Sequence, residues 1–356
     1  MLSHYQYHPW SWLPEPATPV WGYRLTQGIH VATGTATVPL LLVKLWSVYP
    51  NLFRWPVVRS VKHAAERLSV FVLVGSALVQ LVTGFLNTLH WYLWPWDFAS
   101  VHRFLAYVVI GSILLHISIK LPDIRYGLSA KVADADVLTE IPWQDNPASH
   151  TNAGDTAPPR TDALTRRGLL IAVGTGIGTV LVTTVGETIT PLSPLGLLAN
   201  RQASSGPAGV PVNRTALEAG VMHAARSPRW RLHVHGPSPF LLSEPELLDR
   251  ARTDAHLPIA CVEGWSVGAS WRGVPLLDIV REAGGNSDSR VHAVSLETGS
   301  PYNNSFIEGP QLAAALLATH LNGERLDLDH GFPVRLIAPD RAGVLNTKWL
   351  HRIEIR

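Results

Sequence analysis

The sequence has a single cysteine, Cys261, in 356 residues, so the chain has no internal disulfide. A lone cysteine is either an inert buried hydrophobe or a free thiol kept for its chemistry. Charge is also scarce, because Asp, Glu, Lys and Arg make up 16% of the chain against 46% hydrophobic residues. This composition, with 13 tryptophans, favours a membrane protein that carries a soluble part. A formal charge of +2 with dispersed basic residues argues against a partner that is a nucleic acid.

Several common catalytic signatures are missing from the carboxyl-terminal half. It contains no Ser-His-Asp order, no phosphate-binding loop and no zinc-ligand spacing. His233 and His235 alternate on a predicted strand, but no carboxylate or cysteine motif accompanies them. We therefore interpret these two histidines as surface or packing residues.

Long apolar runs are what the sequence does have. A helix needs about 20 mostly apolar residues to cross the hydrocarbon layer, and four segments meet this requirement: Leu25–Tyr49, Leu68–His90, Phe98–Leu121 and Gly168–Ile189. Lys and Arg concentrate in the connections after the first and third segments. The positive-inside rule then places the amino terminus and everything after the fourth segment outside the cell membrane.

Composition along the chain divides it into five parts. The predicted order is a membrane domain, a cytoplasmic linker rich in Asp, Pro and Thr, the fourth span, a short linker and an outer domain: 1–122, 123–165, 166–190, 191–205 and 206–356. Arg166 and Arg167 precede an apolar run in "LTRRGLL". This pattern resembles a twin-arginine export signal, which carries folded proteins, although two arginines here also satisfy the positive-inside rule.

Five histidines lie in or beside the first three apolar segments. His102 and His116 are fourteen residues apart, so on one helix they are separated by about 21 Å and lie within about 40° of the same face. Two imidazoles on one face, one near each membrane surface, suit the binding of two stacked haems. We expect His30 to pair with His102 at the outer haem and His63 with His116 at the inner haem. His90 is an alternative to His30 as the outer ligand.

The stretch from "RLTQGIHVATG" to "LLHISIKLP" resembles the membrane cytochrome b units of bacterial redox proteins. The resemblance covers about residues 20–122 and rests on the placement of helices and histidines. It implies two b-type haems and electron exchange with the quinone pool.

From about residue 206 the pattern changes to short apolar strands alternating with helices. We predict strands in "WRLHVHG", "VHAVSLET" and "FPVRLIAP", and helices in "EPELLDRA", "PLLDIVREAG" and "GPQLAAALLATHL". The predicted fold is an all-α transmembrane domain of four spans followed by a mixed α+β domain. Cys261 lies in "LPIACVEGWS" of this domain, and a thiolate is a strong soft donor for a transition metal.

Four ordered motifs, "ACVEGWS", "WRGVPL", "SLETGS" and "HGFPVRLIAPDRAGVLNTKWLHRIEI", resemble the molybdopterin domain of the sulfite oxidase family. That family includes the periplasmic methionine sulfoxide reductase catalytic subunits, and the resemblance covers residues 206–356. In the family the cysteine binds molybdenum and a pterin dithiolene supplies two more sulfurs, which implies this role for Cys261. The resemblance also implies a set of cofactor-binding residues: Asn213, Ala216, Leu217, Thr298, His330, Arg335, Asn346, Thr347 and Lys348. Leu345 departs from the basic residue that many relatives carry before the last loop.

The preferred function is therefore a membrane-bound molybdenum oxidoreductase that performs two-electron oxygen-atom chemistry outside the membrane and relays electrons through two b haems. Trp265, Trp271 and Arg272 either line the substrate approach or serve as packing and surface residues. Sulfite oxidation favours clustered arginines, and between Cys261 and Thr298 the sequence offers only Arg272, Arg281 and Arg290. Reduction of a sulfoxide or another small oxygenated compound is thus an alternative direction. A further alternative is a membrane electron conduit without catalysis, whose outer domain docks a redox partner.

Overall fold

The structure is a computed structural model that describes ten stretches of the chain: 5, 12–13, 15–52, 60–89, 91, 93–129, 166–185, 194–197, 201 and 205–356. His90 and most of both predicted linkers lie outside these residues. The chain divides into two compact units. One comprises Met1–Thr37, Leu86–Trp91 and Gly178–Arg356, and the other comprises Val38–Phe85 and Tyr92–Ile177. The first unit contains the outer domain together with the amino-terminal turns of the first helix.

The described residues of the amino-terminal half form four long helices: α1 (Gly22–Leu52), α2 (Val61–Thr88), α3 (Phe98–Ser129) and α4 (Arg166–Val185). Three of them contain stretches long and apolar enough to cross a membrane: Gly22–Trp46, His63–Thr88 and Phe98–Pro122. In α4 the apolar stretch, Gly168–Thr184, is shorter. Three predicted spans are therefore confirmed as candidate spans, and the fourth stays a prediction.

Residues 205–356 contain both helices and strands, as predicted. The helices are short: α5 (Met222–Ala225), α6 (Glu244–Arg250), α7 (Leu276–Glu282) and α8 (Gly309–Ala314). The strands are β1 (Leu232–His235), β2 (Phe240–Leu242), β3 (Thr253–Ala260), β4 (Ser266–Pro275), β5 (Val291–Ser295), β6 (Asn304–Ile307), β7 (Leu316–Leu321), β8 (Glu324–Arg325), β9 (Arg335–Ile337) and β10 (Leu350–Ile355).

The strands form two sheets. The first has the order β2-β1-β10-β5-β6, with β1 and β10 parallel and the other pairs antiparallel. The second has the order β3-β4-β7-β8, and β9 also pairs with β7. His233 and His235 are exposed on β1, which confirms that they are surface residues.

The two largest of the four hydrophobic clusters among the described residues pack against the sheets of the domain. In the larger one, α7 buries Leu276, Ile279 and Val280, which the helical repeat places on one face, against the first sheet. The other cluster belongs to the second sheet and contains Cys261 and Trp271. The cysteine loop is thus anchored in the core of the second sheet.

The prediction of one helix over "GPQLAAALLATHL" is wrong in its second half. Helix α8 ends at Ala314, and Leu316–Leu321 is strand β7. This segment lies between β4 and β9 and is almost entirely buried, so pairing on both sides determines its conformation. Strands β3 and β4 were not predicted either, although their hairpin carries Cys261.

Candidate active site

Cys261 lies in the loop that joins β3 to β4. The loop closes on itself, because the Cys261 N–H donates to the Trp265 carbonyl at 2.9 Å and the Gly264 N–H to the Cys261 carbonyl at 3.2 Å. Gly264 has φ +110°, a conformation that L side chains rarely adopt. This turn holds the Cys261 side chain, 1% exposed, at the wall of a cavity.

A fully buried carboxylate lies beside the thiol. Glu263 Oε1 accepts from Cys261 Sγ at 3.2 Å, and its Oε2 accepts from Trp265 Nε1 at 3.2 Å and from Arg201 Nε at 2.9 Å. Burial, and then the Glu263 charge, raise the pKa of the Cys261 thiol well above its usual value. The thiol therefore has to release a proton when it binds a metal. Sequence reasoning missed Glu263, although it is two residues from the cysteine.

The cavity encloses about 260 Å³, part of it open to solvent. Six predicted site residues contribute to its wall: Asn213, Cys261, Trp265, His330, Arg335 and Lys348. Three further residues of the wall were not predicted: Pro211, Ile259 and Gly343. Their apolar or backbone surfaces carry no chemical signature in a sequence.

Arg335 supplies a buried positive charge to the cavity. It is 1% exposed, and its Nη1 and Nη2 donate to the carbonyls of His330 at 3.1 Å and Asn346 at 3.2 Å. The guanidinium carbon lies 5.2 Å from the ring centre of Trp271. Its Nε is buried and has no hydrogen-bond partner among the described residues. Burial lowers the pKa of Arg335 to about 9, so the surroundings of this side chain disfavour its charged form.

Lys348 and His330 line the same wall, and the His330 Nε2–H already donates to the carbonyls of Pro207 at 3.1 Å and Val210 at 3.0 Å. Lys348 Nζ donates to the carbonyls of Arg214 at 2.9 Å and Asp329 at 2.8 Å. Burial and the charge of Arg335 lower the pKa of Lys348 to about 7 and that of His330 to about 4. Burial and mutual repulsion therefore disfavour the charged forms of Arg335 and Lys348, and an anion bound in the cavity would favour those charged forms.

These residues fit a molybdenum–molybdopterin cofactor. The orphaned Arg335 Nε and the Lys348 ammonium group suit its phosphate, and the Cys261 thiolate is a soft ligand for the metal. When bound, the cofactor would supply two-electron oxygen-atom chemistry, and the protein would fix its position.

Three other predicted cofactor residues, Ala216, Asn346 and Thr347, are buried but do not line the cavity. Asn346 and Thr347 are buried: Asn346 Oδ1 accepts from the Ala338 N–H at 3.0 Å, and the Thr347 hydroxyl lies 2.7 Å from that of Ser305. These two side chains stabilise the loop that precedes Lys348 and do not line the cavity. Ala216 is buried and its N–H donates to Asp329 Oδ1 at 2.8 Å.

The side chains of Leu217 and Thr298 do not point into the cavity. Leu217 is 74% exposed because it lies in a turn that directs Ala216 inward, and Thr298 is exposed in a loop after β5. Neither belongs to the cavity wall that the described residues form. Any contact they make with a cofactor has to involve the backbone or a change in conformation.

The structure corrects the predicted roles of Trp271 and Arg272. Trp271 is buried in the core and donates from Nε1 to the Leu257 carbonyl at 3.0 Å. Arg272 is exposed and forms two hydrogen bonds with Asp254, at 2.8 and 3.0 Å. Successive residues of β4 point to opposite faces of the sheet. Trp271 therefore faces the core, where its ring packs against the Arg335 guanidinium group, and Arg272 faces solvent. Only Trp265 of the three proposed substrate-approach residues lines the cavity.

The predicted haem ligands lie on the three long apolar helices: His30 on α1, His63 on α2, and His102 and His116 on α3. His102 Nδ1 is 3.1 Å from the Thr83 hydroxyl, and a Cβ at Gly84 would lie 3.0 Å from His102 Cε1. Gly84 thus makes room for this imidazole. Among the described residues no cluster of three or more His, Cys, Asp or Glu side chains is arranged to hold a metal ion. The haem pairings stay predictions.

We expect the stability of the cofactor-free protein to rise with pH above neutrality because of Lys348. Its pKa is about 7 in the folded protein, against about 10.4 in an unfolded chain. Between these values the unfolded chain binds more protons, so the free energy of unfolding increases as the pH rises. Thermal unfolding from pH 6 to 10 should show this increase, and Lys348→Met should reduce it. Equal pH dependence in both proteins would contradict the assignment.

Comparison with known proteins identifies the domain. Residues 219–356 match the family model described as "Oxidoreductase molybdopterin binding domain". Mitochondrial sulfite oxidase of Drosophila melanogaster is 38% identical over 103 residues, 26% of this chain and 18% of that protein. The oxidoreductase YuiH of Bacillus subtilis is 33% identical over 129 residues, 35% of this chain and 65% of that protein.

Among solved structures, the sulfane dehydrogenase SoxCD of Paracoccus pantotrophus is 25% identical, with 36% of this chain and 38% of that chain covered and a TM-score of 0.33. The chain spans less than two thirds of the length of each of these proteins. The family match and the two sequence relatives confirm the predicted type of domain. Residues 219–356 therefore match an oxidoreductase molybdopterin-binding domain and are similar in sequence to sulfite oxidase.

Proposed function

We propose that the chain is a membrane-bound molybdenum oxidoreductase that transfers an oxygen atom to or from a small extracytoplasmic substrate. The observation that carries this proposal is the meeting of one thiol, Cys261, with the cationic groups of Arg335 and Lys348 at one cavity. Cys261 would hold the metal, and Arg335 and Lys348 would hold the phosphate of the pterin. Trp265 lines the cavity and would limit which substrates reach the metal.

A neutral oxygenated substrate, such as a sulfoxide, suits the surroundings of the thiol better than sulfite does. Arg272, Arg281 and Arg290 are each paired with a carboxylate at the surface and do not line the cavity. The group next to Cys261 Sγ is the Glu263 carboxylate, at 3.2 Å. This carboxylate is paired with Arg201 at 2.9 Å and does not line the cavity, so it supplies no positive charge for an anionic substrate. We therefore favour the reductive direction.

Membrane attachment is supported by the three apolar helices, on which large apolar side chains such as Leu42, Phe71 and Leu114 are 59%, 52% and 61% exposed. Such residues suit contact with lipid. Residues of α1 close to its amino end contact the outer domain, through the Gln27 amide for example. This contact agrees with placing the amino terminus and the catalytic domain on the same, outer side, reached through the proposed signal at Arg166 and Arg167.

We propose that two b-type haems connect the molybdenum site with the quinone pool, ligated by His30 and His102 and by His63 and His116. A histidine that binds a metal through one ring nitrogen usually has the other fixed by a hydrogen bond. The Thr83 hydroxyl, 3.1 Å from His102 Nδ1, provides such a contact.

The test is the cofactor content of the purified full-length protein. We expect one molybdenum and two b haems per chain, and His116→Ala should leave one haem without changing the molybdenum content, because the ligand is lost only from the inner haem. His235→Ala, which changes an exposed histidine of β1, is the control and should retain both haems. Fewer than two haems in the fully loaded native protein would refute the pairing. Absence of molybdenum would refute the catalytic proposal. With molybdenum present, a substrate screen that follows the haem oxidation state identifies the substrate class.

A further inference from the structure

The amino-terminal turns of α1 contact the loop that carries Cys261. Tyr23, Gln27 and Val31 are four residues apart and therefore follow one face of this helix. Gln27 Nε2 donates to the Val262 carbonyl at 2.7 Å, and Gln27 is only 8% exposed. The Val31 side chain covers Gly264, where an added Cβ would lie 3.0 Å from Val31 Cγ1.

The amino-terminal end of α1 also contacts a second loop, which contributes Gly343 to the cavity wall. Tyr23 is buried with Ala260, Ala342 and Leu345, and its backbone N–H donates to the Asp340 carboxylate. Residue Gly343 of this second loop lines the cavity. Helix α1 therefore touches two of the loops that contribute residues to the cavity wall.

Gln27 donates to a backbone carbonyl, that of Val262, which does not take part in the strand pairing of the sheet. Val262 lies between the end of β3 and the start of β4, beyond the β3–β4 ladder. A buried carbonyl without a donor is unfavourable, and the Gln27 amide satisfies this one. Val262 follows Cys261 directly, so this hydrogen bond fixes the peptide next to the thiol.

We propose that Gln27 is a positioning residue for Cys261, and that Val31 assists it by packing on Gly264. Together they hold the cysteine loop so that Sγ faces the cavity. A helix of the membrane region thereby becomes part of the molybdenum site. The importance of this contact for the reaction rests on the proposed function, but its effect on the thiol does not.

The test uses the only cysteine of the chain as a reporter. Cofactor-free full-length protein is treated with an uncharged maleimide, and the rate of Cys261 modification is measured. Gln27→Met preserves the length of the side chain and removes the donor, and should speed modification roughly two- to tenfold, the effect expected from one hydrogen bond. Val31→Ala should also speed it. Thr26→Ala is the matched control, because the Thr26 hydroxyl bonds only to carbonyls of its own helix, at 3.1 and 3.2 Å.

A second measurement separates positioning from a general loss of stability. In molybdenum-loaded protein, Gln27→Met should shift the electron paramagnetic resonance signal of the metal, and Thr26→Ala should leave the signal unchanged. Native modification rates in both Gln27→Met and Val31→Ala, or an unshifted signal in loaded Gln27→Met, would overturn the inference. If no variant and no native sample contained molybdenum, the proposed function would fail, and the modification rates would still decide the role of Gln27.

Discussion

Replacing Cys261 by serine should lower substrate turnover by more than about a hundredfold and leave the protein folded. Loss of a residue that only supports a metal ligand costs roughly 10- to 100-fold, so loss of the ligand itself should exceed this range. A serine hydroxyl is a hard, largely protonated donor, and molybdenum would lose the soft thiolate. The variant should show an altered molybdenum resonance and no change in haem oxidation state on addition of substrate.

Folding should survive this substitution for reasons that the structure provides. The serine hydroxyl replaces a thiol that already donates to Glu263 Oε1 at 3.2 Å, so the new polar group has a buried acceptor. The change in volume is small, and we expect a loss of stability of about 1 kcal/mol. Pterin should remain bound through Arg335 and Lys348. Full turnover with an unchanged molybdenum signal would make Cys261 an inert buried residue and would refute its assignment as the ligand.

Much of the site could be predicted from the sequence because its polar residues lie in ordered motifs. Cys261, His330, Arg335 and Lys348 do meet at one cavity, although up to 87 positions separate them along the chain. These four side chains are recognisable in the motifs because few other residue types can bind a metal or a phosphate in their place. Gly343 contributes mainly backbone to the cavity wall, so its residue type does not mark it as a site residue.

The contacts that could not be predicted join residues with no shared pattern. Gln27 reaches Val262 across 235 positions, inside a segment whose composition indicates only a membrane span. Arg201 reaches Glu263 from a region without periodicity. Strand β7 was assigned to a helix because "LLATHL" continues an apolar run and lacks the strict alternation of apolar and polar residues that marks a half-buried strand. In each case tertiary packing decided among conformations that the local sequence allowed equally.

Arg335→Met should nearly abolish retention of the molybdenum cofactor. Removing one partner of a buried, hydrogen-bonded charge pair costs about 2–5 kcal/mol, which weakens phosphate binding roughly 30-fold or more. The molybdenum content of the purified variant should therefore fall to a small fraction of the native value. Arg335→Lys keeps the charge without the planar donor geometry and should retain an intermediate amount. Arg281→Met is the control, since Arg281 is exposed on α7 and pairs with Asp278.

The stability of the cofactor-free Arg335→Met variant distinguishes loss of binding from loss of the fold. The substitution removes the donors to the carbonyls of His330 and Asn346, which destabilises the empty domain by about 1–3 kcal/mol for each carbonyl left unpaired. It also removes a buried cation that lacks a counter-ion in the empty site, which stabilises the domain. These effects oppose each other, so the empty variant should unfold within a few degrees of the empty native protein. The native protein should gain stability on cofactor loading, and the variant should not, because a ligand stabilises only in proportion to its binding. Native molybdenum content in Arg335→Met, with the usual gain in stability on loading, would show that the phosphate is held elsewhere.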